Sequence, residues 1–129
     1  MTSFRTPLGR VRGLGSAKSG TAHFWQQRAT AIAGVPLVAF LIWLAVSLQG
    51  ADYASARAML SHPAVTILLG LTFFVLLKHM RLGMQVIIED YVHVEGWKMA
   101  VLLANTVFTY AAGAAAFYAL AKLTFGANQ

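Results

Sequence analysis

The sequence predicts an all-α membrane protein with three transmembrane helices. Two long stretches contain no charged residue, and a third is interrupted only by one basic cluster. A helix of about 20 apolar residues crosses a hydrocarbon core of about 30 Å. Hydrophobic residues make up 58% of the chain and charged residues 11%, which is too apolar for a soluble domain of this size. The predicted spans are residues 29–48, 64–88 and 99–121.

The N-terminal arm, residues 1–28, is rich in basic residues and has no acidic residue. Its basic residues are Arg5, Arg10, Arg12, Lys18 and Arg28. Its glycines make it a poor helix former, so we expect an extended, partly ordered arm on a membrane surface, followed by a three-helix transmembrane domain at residues 29–129. The arm also resembles a mitochondrial transit peptide, and that interpretation stays open.

The first span, residues 29–48, begins just after Trp25, which is placed like an interfacial anchor. Gly34 and Pro36 allow either a bend or close helix packing, and packing is the simpler interpretation. A short polar connection follows, in which residues 54–60 are predicted to form a short helical segment.

The second span, residues 64–88, follows Pro63, which suits the first helical position because its missing N–H is not needed there. The connection at residues 89–98 is predicted to end the helix, with Gly96 as the helix breaker. In the third span, small residues at 111–116 permit close approach of another helix. Asn105, Thr106 and Thr109 are able to hydrogen-bond across that interface, and packing is the simpler interpretation of them.

Basic residues outside the spans predict the orientation. One side of the membrane holds six of them and the other side two. The six are Arg5, Arg10, Arg12, Lys18, Arg28 and Lys98, and the two are Arg57 and Lys122. The positive-inside rule then places the N-terminus and the second connection in the cytoplasm or matrix. It also explains the net charge of +6 without nucleic-acid binding. The absence of cysteine excludes disulfides, thiolate metal sites and covalent haem attachment.

The basic cluster that interrupts the second span is Lys78, His79 and Arg81. Ionisable groups inside a membrane cost about 2.5–3.5 kcal/mol each on insertion scales, so the cluster is a functional-site hypothesis. One alternative is a small transporter or channel subunit in which the cluster and Asp90 line a proton or anion path. Another is a purely structural assembly factor, for which such a cluster has no use.

His79, Gly83, Val86 and Asp90 lie along one stripe of an α-helix. His79 lies about 16 Å along the axis from Asp90 and about 22 Å from the start of the span, so it is inside the bilayer. A neutral imidazole at that depth suits a haem iron, and Gly83, one turn away, leaves room for a flat macrocycle. A histidine hydrogen-bonded to a neighbouring helix is the competing interpretation.

Neither Arg81 nor another histidine of this chain is expected to serve the same haem as His79. Arg81 points about 200° away from His79 around the helix. The remaining histidines, all at or beyond predicted interfaces, are His23, His62 and His93. None of them is expected to oppose His79 across a buried haem. A second axial ligand would therefore come from another chain.

One motif resembles a known family. His79-Met80-Arg81-Leu82-Gly83-Met84-Gln85 followed by Asp90-Tyr91 is similar to the His-x-x-x-Gly-Met and Asp-Tyr pattern of the small hydrophobic membrane anchor of succinate dehydrogenase. Residues 25–32 also resemble that family's entry into its first helix, and with the three-span plan the likeness covers nearly the whole chain.

The resemblance implies a role for several residues. His79 is then an axial ligand of a b-type haem shared with the larger cytochrome b556 subunit, with Gly83 beside it. Tyr91 and Asp90 border a ubiquinone site, and Arg28 lies near the haem propionates or the quinone. Lys78 and Arg81 are not part of that pattern.

The resemblance also implies the setting. The chain would anchor a flavoprotein and an iron–sulfur subunit of respiratory complex II, which passes electrons from succinate oxidation in the tricarboxylic acid cycle to quinone. It would lie in a bacterial inner membrane with its N-terminus in the cytoplasm, or in a mitochondrial inner membrane with its N-terminus in the matrix. Without a nucleotide motif or a cysteine cluster, this chain is not expected to oxidise succinate itself.

Overall fold

A computed structural model describes residues 6–13 and 21–126. In these ranges every regular element is an α-helix. In chain order the helices are α1 (Pro7–Val11), α2 (Ala22–Ser47), α3 (Tyr53–Leu60), α4 (Pro63–Tyr91) and α5 (Glu95–Phe125). The three long helices, α2, α4 and α5, are each long and apolar enough to cross a membrane. The predicted all-α class with three spans is confirmed.

Helices α4 and α5 extend beyond the predicted spans at both ends, and α2 extends beyond its span at the N-terminal end. Helix α1 (Pro7–Val11) and the first residues of α2, which begins at Ala22, lie within the predicted arm, so the expectation of an extended arm was wrong for these residues. Helix α5 begins at Glu95, so Gly96 lies in its first turn and the prediction that Gly96 breaks the helix was wrong. The predicted spans stopped at the first polar residues, whereas backbone hydrogen bonding continues through them where the helices pass the headgroup region. Glu95 is also favourable beside the positive end of the helix dipole.

The start of α4 and the short helix α3 lie close to their predicted positions. Pro63 is the first residue of α4, as predicted, and His62 is the N-cap. The predicted segment at residues 54–60 forms α3. Between α2 and α3, Gly50 has φ of 75°, a left-handed conformation that favours glycine because it lacks a Cβ.

Helix α4 is the central helix, because α2 and α5 each pack against it. Within the described ranges, the α2 and α5 backbones do not pack against each other. Small residues lie at these contacts: Gly34 of α2 faces Leu76, and Gly113 of α5 faces Leu77. Close approach at small residues is how helices associate where lipid supplies no hydrophobic drive, so the packing role predicted for Gly34 is confirmed, as is that of Gly113 within the run at residues 111–116.

The best-packed part of the bundle lies near the α3 end. Leu44, Leu69 and Leu120 are buried against one another there. Hydrogen bonds from Arg57 to the Gly126 carbonyl and from Ser61 to a carbonyl near the end of α5 attach α3 to that helix. His79 lies outside this cluster, about 15 Å beyond Leu69 along α4.

Candidate functional site

His79 lies on the side of α4 that faces α2. Its side chain is half-buried, and its Nδ1 lies 3.0 Å from the hydroxyl oxygen of Thr30 on α2. Of its two ring nitrogens, only Nδ1 has a hydrogen-bond partner among the described residues. This is the hydrogen bond to a neighbouring helix that was the alternative to haem binding, but it occupies only one of the two ring nitrogens. Nε2 therefore remains available to a ligand.

Gly83, one turn beyond His79, also faces α2. A Cβ added to Gly83 would lie 3.5 Å from Nε2 of Gln27. The space beside Gly83, expected to accommodate a macrocycle, is therefore next to the Gln27 amide in this chain. A ring placed against Gly83 requires the Gln27 side chain to turn away.

Two polar atoms on α2 lack partners near this contact. Nε2 of His23 and Oε1 of Gln27 are buried, and neither has a hydrogen-bond partner within residues 6–13 and 21–126. A buried polar atom left unpaired costs about 1–3 kcal/mol, so native proteins rarely leave one without a partner. Both atoms belong to the stripe of α2 that also carries Thr30.

The tryptophans of α2 indicate the depth of His79. Trp25 and Trp43 are both exposed and lie about 27 Å apart along the helix, close to the thickness of a hydrocarbon core. Tryptophan is enriched at both membrane interfaces. Thr30, and with it His79, lies about 7–8 Å inside the Trp25 boundary. His79 is therefore at membrane depth, nearer the Trp25 end.

Arg81 lies on the opposite side of α4, toward α5. Its guanidinium carbon is 5.5 Å from the centre of the Tyr110 ring, a cation–π contact, and Nη1 is 3.5 Å from the Tyr110 hydroxyl. Nδ2 of Asn105 donates to the Arg81 carbonyl at 3.1 Å, so Asn105 makes an interhelical hydrogen bond, the alternative to the packing role expected for it. The basic cluster is thus divided, with the imidazole directed to α2 and the guanidinium to α5.

A cavity of about 540 Å³ lies beside Lys78 and Arg81. Its walls come from all three long helices and combine two basic side chains with uncharged polar, apolar and small residues. They are Gln26, Phe74, Leu77, Lys78, Arg81, Thr109, Tyr110, Gly113, Ala114 and Phe117. Because His79 and Asp90 are absent from this wall, the cavity does not join the ionisable groups into one path.

The remaining predicted site residues lie apart from His79. Asp90 and Tyr91 end α4 and are exposed, about 16 Å along the axis from His79. Arg28 is exposed, and its guanidinium carbon is 5.1 Å from the centre of the Phe24 ring. It lies about 200° around α2 from Thr30, away from the contact with His79. This chain alone does not bring the predicted residues into one site.

The donor set suits a haem held between chains. The described ranges contain no group of three or more histidine, aspartate and glutamate side chains able to hold a metal ion. A haem needs only an axial residue from the protein, because the porphyrin supplies the four equatorial nitrogens. A half-buried imidazole at membrane depth, with one nitrogen engaged and the other free, fits that requirement.

The sequence interpretation missed Thr30 and Gln27. With His23 and Gly34 they follow each other at intervals of four, three and four residues, which places them on one stripe of α2. Polar residues on one stripe of an otherwise apolar helix turn toward protein rather than lipid. This periodicity was present in the sequence, but it does not reveal which helix the stripe contacts.

Comparisons with known proteins agree with the motif. Residues 2–120 match the family model for the succinate dehydrogenase/fumarate reductase transmembrane subunit. The chain is 30% identical to the succinate dehydrogenase hydrophobic membrane anchor subunit of Paracoccus denitrificans, over 95% of this chain and 94% of the relative. It is 32% identical to the protein of that name from Rickettsia bellii, over 82% and 85% of the two chains.

A third relative is the succinate dehydrogenase membrane anchor subunit of Reclinomonas americana, 36% identical over 60% of this chain and 68% of the relative. No solved structure gives a significant match. The family model covers nearly the whole chain, including all of the first two long helices and most of the third. The chain therefore belongs to the succinate dehydrogenase/fumarate reductase transmembrane subunit family, as a membrane anchor subunit.

Proposed function

We propose that this anchor subunit supplies one axial position of a b-type haem through His79. The larger cytochrome b556 subunit supplies the other. The observation that carries the proposal is the geometry of the imidazole, which lies at membrane depth with Nδ1 engaged by Thr30 and Nε2 free. A bound haem supplies a one-electron redox centre. His79 holds the position of that centre, and the surrounding apolar helices exclude water from it.

The basic residues near His79 suit an anionic partner. Lys78 and Arg81 have no carboxylate within salt-bridge distance in the described ranges, where Arg81 contacts the ring and hydroxyl of Tyr110. Uncompensated cations at membrane depth are unfavourable, and an anionic group on a cofactor or another subunit offsets that cost. Arg28 lies on a different face of α2, and its predicted role toward haem propionates or quinone requires a partner on that outer face.

The quinone site is proposed at the end of α4, with Tyr91 and Asp90. The Tyr91 side chain is 77% exposed, so its hydroxyl is free to donate to a ubiquinone carbonyl held against another subunit. Asp90, its neighbour, can orient that donor or relay the protons that quinone reduction consumes. Electrons arrive from an iron–sulfur subunit bound on this side, so the quinone is reached without crossing the membrane.

The assembly proposed around this chain contains a flavoprotein, an iron–sulfur subunit and the cytochrome b556 subunit. Its membrane is a bacterial inner membrane or, as the alternative, a mitochondrial inner membrane. In that assembly this chain binds and positions groups, while succinate oxidation occurs in the flavoprotein.

The experiment that tests the proposed function is purification of the native complex through a tag on this chain. We expect three further subunits and a low-spin b-type spectrum after reduction. The chain expressed alone should bind haem poorly, because it supplies one axial ligand. A complex with all its subunits but no haem absorbance would contradict the proposed haem role, and a tagged chain that recovers no flavoprotein would contradict the proposed assembly.

The orientation is tested with reporter fusions. Because six basic residues flank one side and two the other, a reporter after Gln129 should lie on the periplasmic or intermembrane-space side. A reporter inserted in the connection at residues 92–94 should lie on the opposite side. If the C-terminal reporter is found in the cytoplasm or matrix, the proposed orientation is wrong.

A further inference from the structure

We infer that Thr30 is a positioning residue for His79. Its hydroxyl oxygen accepts a hydrogen bond from Nδ1–H of the imidazole. The lone pair of Nε2 would then be available to bind a haem iron. This inference rests on the proposed haem ligation and extends it to a residue on another helix. Thr30 lies outside the His-x-x-x-Gly-Met and Asp-Tyr motif that surrounds His79.

The contacts of the Thr30 hydroxyl support the His79 tautomer that carries its proton on Nδ1. The hydroxyl oxygen lies 2.8 Å from the Gln26 carbonyl oxygen and 3.1 Å from the Gln27 carbonyl oxygen, both on the preceding turn of α2. Carbonyl oxygens only accept, and a hydroxyl has one proton to donate. When that proton points to the carbonyls, the third contact, 3.0 Å to Nδ1 of His79, requires the imidazole to donate.

The consequence for metal binding follows from the two ring nitrogens. In a neutral imidazole one nitrogen carries the proton and the other carries the lone pair that binds a metal. Metal-ligating histidines usually donate their other N–H to a fixed acceptor, which sets both the tautomer and the ring orientation. A hydroxyl is a suitable acceptor here, because a carboxylate at this depth would add a costly charge.

The position of Thr30 makes it a rigid acceptor. Threonine is β-branched, and its hydroxyl is held by carbonyls of its own helix. One turn further along α2, Gly34 is buried against Leu76 of α4, so the two helices are in close contact beside the Thr30–His79 pair. The contact therefore couples the ring plane of His79 to the packing of α2 on α4.

Two substitutions at Thr30 separate the effect of its hydroxyl from the effect of its β-branched shape. Thr30→Val keeps the β-branched shape and removes the acceptor, whereas Thr30→Ser keeps the hydroxyl. Thr72→Val is the matched control: Thr72 is fully buried on α4, and its hydroxyl donates to the Leu68 carbonyl of its own helix. Loss of a partner of this kind typically lowers metal affinity about 10- to 100-fold. We expect the assembled Thr30→Val complex to lose haem that much more readily, with Thr30→Ser and Thr72→Val close to the parent.

A second measurement does not depend on haem. In the full chain labelled with ¹⁵N-histidine and solubilised in detergent, the resonances missing in His79→Gln belong to His79. The parent should show a protonated Nδ1 and an unprotonated Nε2, and Thr30→Val should show a mixture of tautomers. A parent in which Nε2 carries the proton would overturn the inference, as would haem retention in Thr30→Val equal to that of the parent.

These readouts distinguish the inference from the proposed function. If the complex keeps its haem spectrum after His79→Ala, haem ligation by His79 is wrong and the positioning role falls with it. The nitrogen resonances then still decide whether the Thr30–His79 hydrogen bond exists. If His79→Ala removes the spectrum and Thr30→Val leaves both haem retention and tautomer unchanged, only the positioning role is overturned.

Discussion

His79→Ala is expected to abolish or strongly alter the low-spin b-type spectrum of the assembled complex. The substitution removes the nitrogen proposed to bind the iron, and the other histidines of this chain are not placed to replace it. His23, which is on α2 like Thr30, lies about 10 Å from Thr30 along the helix axis. Reduced-minus-oxidised absorbance spectra, normalised to the amount of complex, measure the effect.

Assembly of the His79→Ala complex should be largely preserved. The substitution removes the hydrogen bond between His79 and Thr30, and such a bond contributes about 0.5–1.5 kcal/mol to stability. The apolar packing at Leu44, Leu69 and Leu120 is at the other end of the bundle and is unaffected. His93→Ala is the control, because His93 is exposed in the connection between α4 and α5. An unchanged haem spectrum in fully assembled His79→Ala complex would reject the assignment.

Tyr91→Phe should slow quinone-linked succinate oxidation by about two- to twelve-fold. The change removes a hydroxyl and little volume, and the loss of a hydrogen bond worth about 0.5–1.5 kcal/mol corresponds to that range. Turnover with ubiquinone, measured across quinone concentrations, tests the expected loss. Oxidation of succinate with an artificial acceptor that bypasses quinone should keep its normal rate.

The matched control for this substitution is Tyr118→Phe. Tyr118 is 71% exposed, comparable with Tyr91, but lies near the other end of the bundle, on α5. It should leave quinone turnover at the parental level. Equal quinone turnover in Tyr91→Phe and the parent at all concentrations would mean that Tyr91 is only an interfacial anchor and that other residues form the quinone site.

The prediction of three transmembrane helices succeeded because the bilayer imposes a simple requirement. Every backbone polar group in the hydrocarbon must be satisfied within its own segment, so a long apolar stretch forms a helix regardless of its neighbours. Helix ends were less predictable. Residues 22–28 and Glu95 to Lys98 are helical although they are polar or flanked by glycine, because the interfacial region tolerates both water and helix.

The candidate site was predicted only in part. The depth of His79 and the divergence of His79 and Arg81 followed from 1.5 Å and 100° per residue, which are local properties of one helix. Their partners, Thr30 for the imidazole and Tyr110 for the guanidinium, lie on two other helices. Sequence distance and hydropathy carry no information on which face of α2 or α5 meets α4.

The sequence by itself therefore determined the number of membrane helices, the depth of the basic cluster and the family to which the chain belongs. Only the tertiary structure decided that α4 lies between α2 and α5, and that Thr30 rather than a lipid chain meets Nδ1 of His79. The physical reason is that spans follow from each segment's transfer free energy into lipid. Helix pairing instead depends on the close fit of small residues such as Gly34 and Gly113 against particular side chains of the neighbouring helix.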